Sequence, residues 1–381
     1  MNTDKSERLD CHIHGVAVEV FEWQSEPYNA LDERGRVGPE MRNGLLRLQC
    51  DHGLEGQCFV GGNGQAPEIW INQIDLVFGH AVQGTAIQDR GALWSRLSKL
   101  TGHSPSMLPG WAATDIALWD LTGKHLRVPV VDLLGRARQT VPAYATHPPV
   151  HPGIDELIRD VVALKSEGFG AYKLHPGSTP VADVIEGVGE LRAAVGNGFD
   201  LILDPGNRYT FEQALQVGRA LDNSSFLWLE DPLPIRAEAQ AFDLAARIDT
   251  PVAYSDAASF DLSRMARFVG TGHFSVLRGS SRWLGITGLK KACSLMEAHG
   301  GFCEVGLGGN PSMNAANLHV MQSVSNARLY EHWLPSARHE FGTSNSLCPT
   351  NGFISVPHGP GLGIELDEAW LSDHRVDAHR L

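Results

Sequence analysis

Hydrophobic and polar positions divide the chain into three stretches of different period. Over residues 8–60 apolar and polar residues alternate, in VAVEVFEW (16–23), GLLRLQCD (44–51) and GQCFVGG (56–62), which predicts an antiparallel meander. The connection SEPYNALDERGRVGPEMRN (25–43) is long and polar for a hairpin, a length at which loops of compact domains are functional or mobile. Helical spacing takes over in 67–136 and ends in WAATDIALWDLTGKHLRVPVVDLLG, punctuated by Gly123 and Pro129. From about residue 139 short apolar segments alternate with amphipathic ones. The predicted strands are VPAYA (141–145), AYKLH (171–175), DLILD (200–204), FLWLE (226–230), PVAYSD (251–256), FSVLR (274–278) and FCEVG (302–306). Between them lie IDELIRDVVALKSEGF, VIEGVGELRAAVG and FEQALQVGRALD, which read as helices. β-α units repeated at roughly 25–30 residues imply a parallel sheet. Seven or eight of them within about 200 residues favour a closed TIM-type barrel over an open sheet.

In such a barrel the residues at the C-terminal ends of the strands face the active site. Three consecutive predicted strands end in an acid, LILD at Asp204, LWLE at Glu230 and VAYSD at Asp256, at intervals of 26 and 26 residues. Three carboxylates meeting at one mouth repel unless a cation lies among them. Hard oxygen donors with room left for water and substrate point to Mg²⁺. The preceding strand ends AYKLHPG, where Lys173 and His175 are two apart and so point to one side. Beside a divalent metal they are a natural electrophile and general base.

Composition narrows the partners. The 381 residues are 43% hydrophobic and 20% charged, with 31 Lys and Arg against 44 Asp and Glu, a formal charge of −13. With no basic stripe or tail, neither nucleic acid nor an anionic membrane is an expected partner. No apolar run is long enough to span a bilayer, and MNTDKSERLDCHIH lacks the apolar core of a secretory signal, so a cytoplasmic protein is expected. Six scattered cysteines with no CxxC pair read as reduced thiols. The run VGLGGN (305–310) lacks the GK[ST] of a phosphate loop, which argues against nucleotide binding.

These blocks together resemble the enolase superfamily, and within it the mandelate racemase-like group of acid-sugar dehydratases and racemases. The resemblance runs over nearly the whole chain, through WAATDIALWDLTGKHLRVPVVDLLG, AYKLHPG, LILDPGN, WLEDPLP, PVAYSD, LGITGLKKACSLMEAHGGFCEVG and NARLYEHW. It implies a modified (β/α)7β TIM barrel with an α+β capping domain. The corresponding division is residues 1–138 for the cap, 139–338 for the barrel and 339–381 for a tail packing on the cap. It implies one Mg²⁺ per subunit held by Asp204, Glu230 and Asp256, a strand-2 pair at Lys173 and His175, and a strand-8 carboxylate at Glu331. Two substitutions depart from the group's pattern, His175 for the second lysine and Asp256 for a glutamate. The group's His-Asp dyad is absent: no Asp or Glu occurs from 262 to 296 and FCEVGLGGN has no histidine, leaving Arg278 with Gly279 and Gly306 with Leu307.

The implied chemistry is proton abstraction α to a carboxylate to give an enediolate. With His175 as the one base, dehydration of an aldonate or aldarate ranks first. Racemisation, epimerisation or cycloisomerisation ranks second, and a weakly active or non-catalytic metal- and ligand-binding relative third. The expected partner is a small carboxylate substrate, in a homo-oligomeric protein. The loop 25–43 is expected to cover the barrel mouth, with Trp23, Tyr28, Asn29 and Arg36 as candidate substrate contacts alongside Asn207. Arg278 is suited to a distal carboxylate.

Overall fold

The computed structural model describes residues 11–62, 66–103, 108–234, 236–254 and 262–381. The alternating N-terminal segments pair as their period requires. Strand β1 (Ile13–Gln24) is followed by a small hairpin, β2 (Tyr28–Asn29) with β3 (Arg36–Val37), and then by β4 (Glu40–Cys50) and β5 (Glu55–Val60). β1 and β4 are antiparallel with Val18 opposite Leu46, and β4 sets Leu46 opposite Cys58 on β5. Both faces of this sheet are covered. Val16, Val18, Val20, Leu46, Leu48 and Val60 join the main core, while Phe21, Leu45 and Phe59 form a second cluster with Phe341 and Leu371 from the C-terminal tail. On the main-core side the helix Leu108–Leu126 approaches so closely that a side chain at Gly56 would overlap Ala117 and Leu121.

The parallel strands are β6 (Val141–Thr146), β7 (Ala171–Leu174), β8 (Asp200–Leu203), β9 (Trp228–Glu230), β10 (Val252–Ala253), β11 (Val276–Gly279), β12 (Phe302–Val305) and β13 (Tyr330–Trp333). Six of them form a continuous ladder in the order β10-β9-β8-β7-β6-β13, and β11 pairs with β12. Arg278 N–H donates to Tyr254 O at 2.9 Å, carrying the ring from β10 to β11. One inward layer takes Tyr144, Ala171, Ile202, Trp228, Ala253, Val276 and Leu329 from successive strands, with Phe302 packed against it, as in a filled barrel. The tail divides: β14 (Phe353–Ile354) pairs with β6 of the barrel, whereas β15 (Arg375–Arg380) adds to the outer edge of β1.

The loop after β1 lies on the barrel. Leu31 N–H donates to Pro149 O at 2.6 Å, Ser178 N–H to Leu31 O at 2.8 Å, and Arg208 pairs with Glu33 at 2.8 Å. One reading from composition needs correction: Cys11 and Cys50 are joined in a disulfide, which a spacing of 39 residues does not announce. Cys58, Cys293 and Cys303 are buried thiols and Cys348 is exposed. Among the described residues no helix is long and apolar enough to cross a membrane.

Candidate active site

Period-two geometry builds the site directly on top of the inward layer. Two residues beyond Ala171, Ile202, Trp228, Val276 and Leu329 come Lys173, Asp204, Glu230, Arg278 and Glu331, so each strand delivers its next inward side chain to the C-terminal mouth. Lys173 Nζ lies 2.8 Å from Glu331 Oε1, 3.2 Å from Glu230 Oε1 and 3.4 Å from Asp204 Oδ2. Arg278 contacts two of the same acids, Glu331 Oε2 at 2.6 Å and Glu230 Oε1 at 3.2 Å, and donates to Tyr144 OH at 3.1 Å. Lys173, Glu230, Arg278 and Glu331 are all buried. Glu230 Oε2 accepts from Trp228 Nε1 at 3.0 Å, and Glu331 Oε2 also accepts from Leu307 N–H at 2.9 Å.

Burial and charge act against each other here. Burial would raise the Glu331 carboxyl, but Lys173 and Arg278 overcome it and hold the group at about 2. Asp204 is likewise lowered despite burial, by Lys173 and His175. Glu230 goes the other way, its burial outweighing Arg278 and Lys173. Lys173 is raised well above the ordinary lysine range, because Glu230 and Glu331 more than offset its desolvation. It is a fixed ammonium.

His175 stands at the edge of this cluster. Its Nδ1 is 2.8 Å from His147 O and 3.2 Å from Thr146 Oγ1, and its Nε2 is 3.2 Å from Asp204 Oδ2. A carbonyl can only accept, so Nδ1 carries hydrogen and Nε2 is the nitrogen turned toward Asp204. The Trp333 ring packs 5.3 Å from the imidazole.

Lys173, His175, Asp204, Asn207, Glu230, Arg278 and Glu331 line one cavity of about 380 Å³. Asn207 holds a left-handed φ of 65°, its N–H bonded to Asp231 O at 2.6 Å and its Oδ1 buried without a partner. Arg278 is engaged with Glu230 and Glu331 at the base of this cavity, and no distal recognition element is needed to explain its position. Tyr28 lines a second cavity of about 280 Å³ on the cap side. Trp23 packs against Phe341 and Trp370 at 4.5 and 5.2 Å between ring centroids, and Asn29 and Arg36 pair within the β2–β3 hairpin; none of the three lines either cavity. Asp256 lies outside the described residues.

Sequence reasoning missed Arg34 and Trp333, which line both cavities, Arg208, Arg282 and Trp283 in the first, and Asn43 and Arg338 in the second. Arg282 follows β11 directly, and the rule that loops after barrel strands build sites would have found it. The same rule covers Trp283 beside it and Arg208 in the turn after β8, whereas Arg34 and Asn43 come from the cap, Trp333 ends β13 and Arg338 lies past it, where no such rule marks them.

Asp204 and Glu230 are hard oxygen donors converging on one point, the Lys173 ammonium, and this donor chemistry fits a hard divalent cation such as Mg²⁺. Arg278 shares the same Glu230 oxygen. Among the described residues no three His, Cys, Asp or Glu side chains are grouped to hold a metal ion.

Comparison with known proteins agrees with this architecture. Residues 156–370 match the enolase C-terminal domain-like family, and residues 39–135 match the mandelate racemase/muconate lactonizing enzyme N-terminal domain. L-talarate/galactarate dehydratase of Salmonella typhimurium is 30% identical over 212 residues, covering 55% of this chain and about half (52%) of that protein. D-galactonate dehydratase of Ralstonia nicotianae is 29% identical over 361 residues, 88% of this chain and 91% of that one. The crystal structure of D-glucarate dehydratase from Agrobacterium tumefaciens complexed with magnesium superposes with a TM-score of 0.85 at 28% identity, over 96% of this chain and 99% of that one. With its cap and its barrel each matching, the chain belongs to the mandelate racemase/muconate lactonizing enzyme family of the enolase superfamily.

Proposed function

We propose that this enzyme is a Mg²⁺-dependent lyase that dehydrates a sugar acid by removing the proton α to its carboxylate from one face. The observation that carries the reading is the asymmetry of the mouth. Lys173 lies among three carboxylates with His175 beside it, whereas β11 presents Arg278 and the turn after β12 presents Leu307. An arginine does not serve as a base at neutral pH, so among the described residues β11 and the turn after β12 offer no base for inverting the α-carbon. The dehydratase names of its relatives support the same reaction class.

Asp204 and Glu230, with Asp256, would hold Mg²⁺, which supplies Lewis acidity toward the substrate carboxylate. His175 Nε2 takes the α-proton, the ring held in orientation by its Nδ1–H bond to His147 O. Lys173 donates hydrogen bonds to the oxygen that gains charge in the enediolate, and being prepositioned by Glu230 and Glu331 it needs no reorganisation. The same His175 then returns its proton to the departing β-hydroxyl as water, so one proton is taken and one given. Asn207 Oδ1 is placed to accept from a substrate hydroxyl. In this reading residues 139–338 carry the chemistry, and 1–138 with 339–381 close over it.

His175→Asn tests the assignment. With Mg²⁺ present, turnover of galactarate, galactonate, glucarate and gluconate is expected to fall by about 10²–10⁴-fold while the folded protein and its substrate binding persist. Retention of most activity places the base elsewhere. Exchange of the α-proton with solvent deuterium in the wild type, without loss of water, argues for an isomerase instead.

A further inference from the structure

The cap-side cavity adjoins the cavity at Lys173. Arg34 and Trp333 line both, so the second cavity is within reach of a molecule bound at Lys173 that is long enough to pass them. Two of its lining groups point to the chemistry of what enters. Asn43 is 1% exposed, yet its Oδ1 has no hydrogen-bond partner. Buried acceptors are rarely left unmade in a folded protein unless a ligand or water completes them. The second group is Arg338. Of the guanidinium groups on this wall, Arg34 is paired with Asp32 at 2.7 Å and Arg42 with Glu22 and Glu68. Arg338 instead donates to carbonyl oxygens, Glu26 O at 2.8 Å and Gly38 O at 3.3 Å, and its guanidinium lies 5.5 Å from the Tyr28 ring centroid. Among the described residues no carboxylate comes within ion-pair distance of it, Glu40 on the same wall included. Its carbonyl contacts fix the side chain without neutralising its charge.

We propose that this cavity is the subsite for the far carboxylate of a dicarboxylic sugar acid, with Arg338 binding that carboxylate and Asn43 accepting a hydrogen from a neighbouring hydroxyl. The inference rests on the sugar-acid reading above and narrows it to aldarates over aldonates. A planar guanidinium held from behind by carbonyls presents its remaining N–H groups for a charge-assisted contact that a terminal CH₂OH cannot return.

Matched pairs that differ only at the far carbon test this: galactarate with galactonate, and glucarate with gluconate. The wild type is expected to favour the dicarboxylate of its better pair by at least about tenfold in kcat/KM. Arg338→Met should cut that value by about 10- to 100-fold, chiefly through KM, and lower it for the monocarboxylate much less, with Arg338→Lys recovering part of the loss. Equal losses for both acids, or a wild-type preference for the monocarboxylate, overturn the subsite. If no acid is turned over, calorimetric titration of the same pairs into wild type and Arg338→Met decides separately. Tighter, Arg338-dependent binding of the dicarboxylate upholds the subsite although the dehydration reading has failed. Binding that is absent, or indifferent to the far carboxylate or to Arg338, overturns it.

Discussion

Asp115 is 1% exposed on the helix Leu108–Leu126, yet its partners belong to a different helix. It accepts from Thr287 N–H at 2.9 Å and Thr287 Oγ1 at 2.7 Å, and a side chain at Gly285, where φ is 63°, would overlap its carboxylate. Asp120, one turn on, accepts from Gln57 N–H at 2.9 Å and Leu362 N–H at 2.8 Å. The WAATDIALWDL block is therefore a staple between cap, barrel and tail, and carries no chemistry. Burial raises the Asp115 carboxyl from 3.8 to about 6 against the pull of its Thr287 bonds. Between those values the folded chain keeps a proton that the unfolded chain has released, so this contribution is complete below about pH 4 and is lost as pH rises through about 6. Asp115→Asn removes the titration, and its urea-derived stability should fall less than wild type's between pH 4 and 7, by on the order of 2–3 kcal/mol. Parallel pH curves for the two proteins would refute the assignment. Chemistry-bearing residues on strands were legible because a fixed unit length and a period of two place them, which is how Lys173, Asp204 and Glu230 could be read together, whereas Arg278 was read only as suited to a distal carboxylate and not as their partner. Arg34, Asn43 and Arg338 were not, since only the meeting of cap and barrel gives them a common wall.

Seven of the barrel strands were visible as apolar runs because they are buried on both sides, but β13 was placed only through the family resemblance, and the β2–β3 hairpin, two residues per strand inside a polar loop, has no such signal. Closure was expected from the number of β-α units, but the way the last two strands meet was not legible. β12 and β13 share no ladder; instead the Glu304 carboxylate, 0% exposed, accepts from Arg328 N–H at 3.1 Å and Leu329 N–H at 3.2 Å and pairs with the Arg328 guanidinium. A side chain here satisfies backbone donors that an adjacent strand would otherwise take. Glu304→Ala leaves those donors and the Arg328 charge without their acceptor, and urea unfolding should show a loss of about 2–4 kcal/mol. Glu304→Gln, which keeps one acceptor oxygen, should lose less. A near-neutral alanine variant would mean that water replaces the carboxylate and that the seam between β12 and β13 is loose.

Cap and barrel meet over the catalytic cavity, and the strongest ties between them at the mouth run through the loop after β1. Its backbone is bonded at Leu31 to both the β6–helix and β7–helix connections, and its acids Asp32 and Glu33 meet Arg208 from the turn after β8 at 3.3 and 2.8 Å. The chain as a whole carries −13, whereas the two cavities set Arg34, Arg42, Lys173, Arg208, Arg278, Arg282 and Arg338 against Glu33, Glu40, Asp204, Glu230, Asp231 and Glu331, so the acids of the site are matched by cations. Arg208 thus serves two ends: it neutralises the acids of the loop and holds the cover shut beside Asn207. The expectation of a loop that is mobile without ligand meets a loop already anchored by backbone bonds, and the side-chain clasp is the part that can be released alone. Arg208→Ala should leave the Leu31 bonds and the Asp32–Arg34 pair in place but free Glu33, loosening the loop around the Arg34 and Arg36 peptide bonds that trypsin cuts. Cleavage at those two sites, followed by mass spectrometry at neutral pH, is expected to be several-fold faster than in wild type, and a loop that gates entry predicts that KM for the preferred sugar acid rises more than kcat falls, since Lys173 and His175 are untouched. Equal cleavage rates in the two proteins would show that the backbone bonds alone hold the cover, and a fall in kcat with KM unchanged would place Arg208 in the chemistry rather than at the gate.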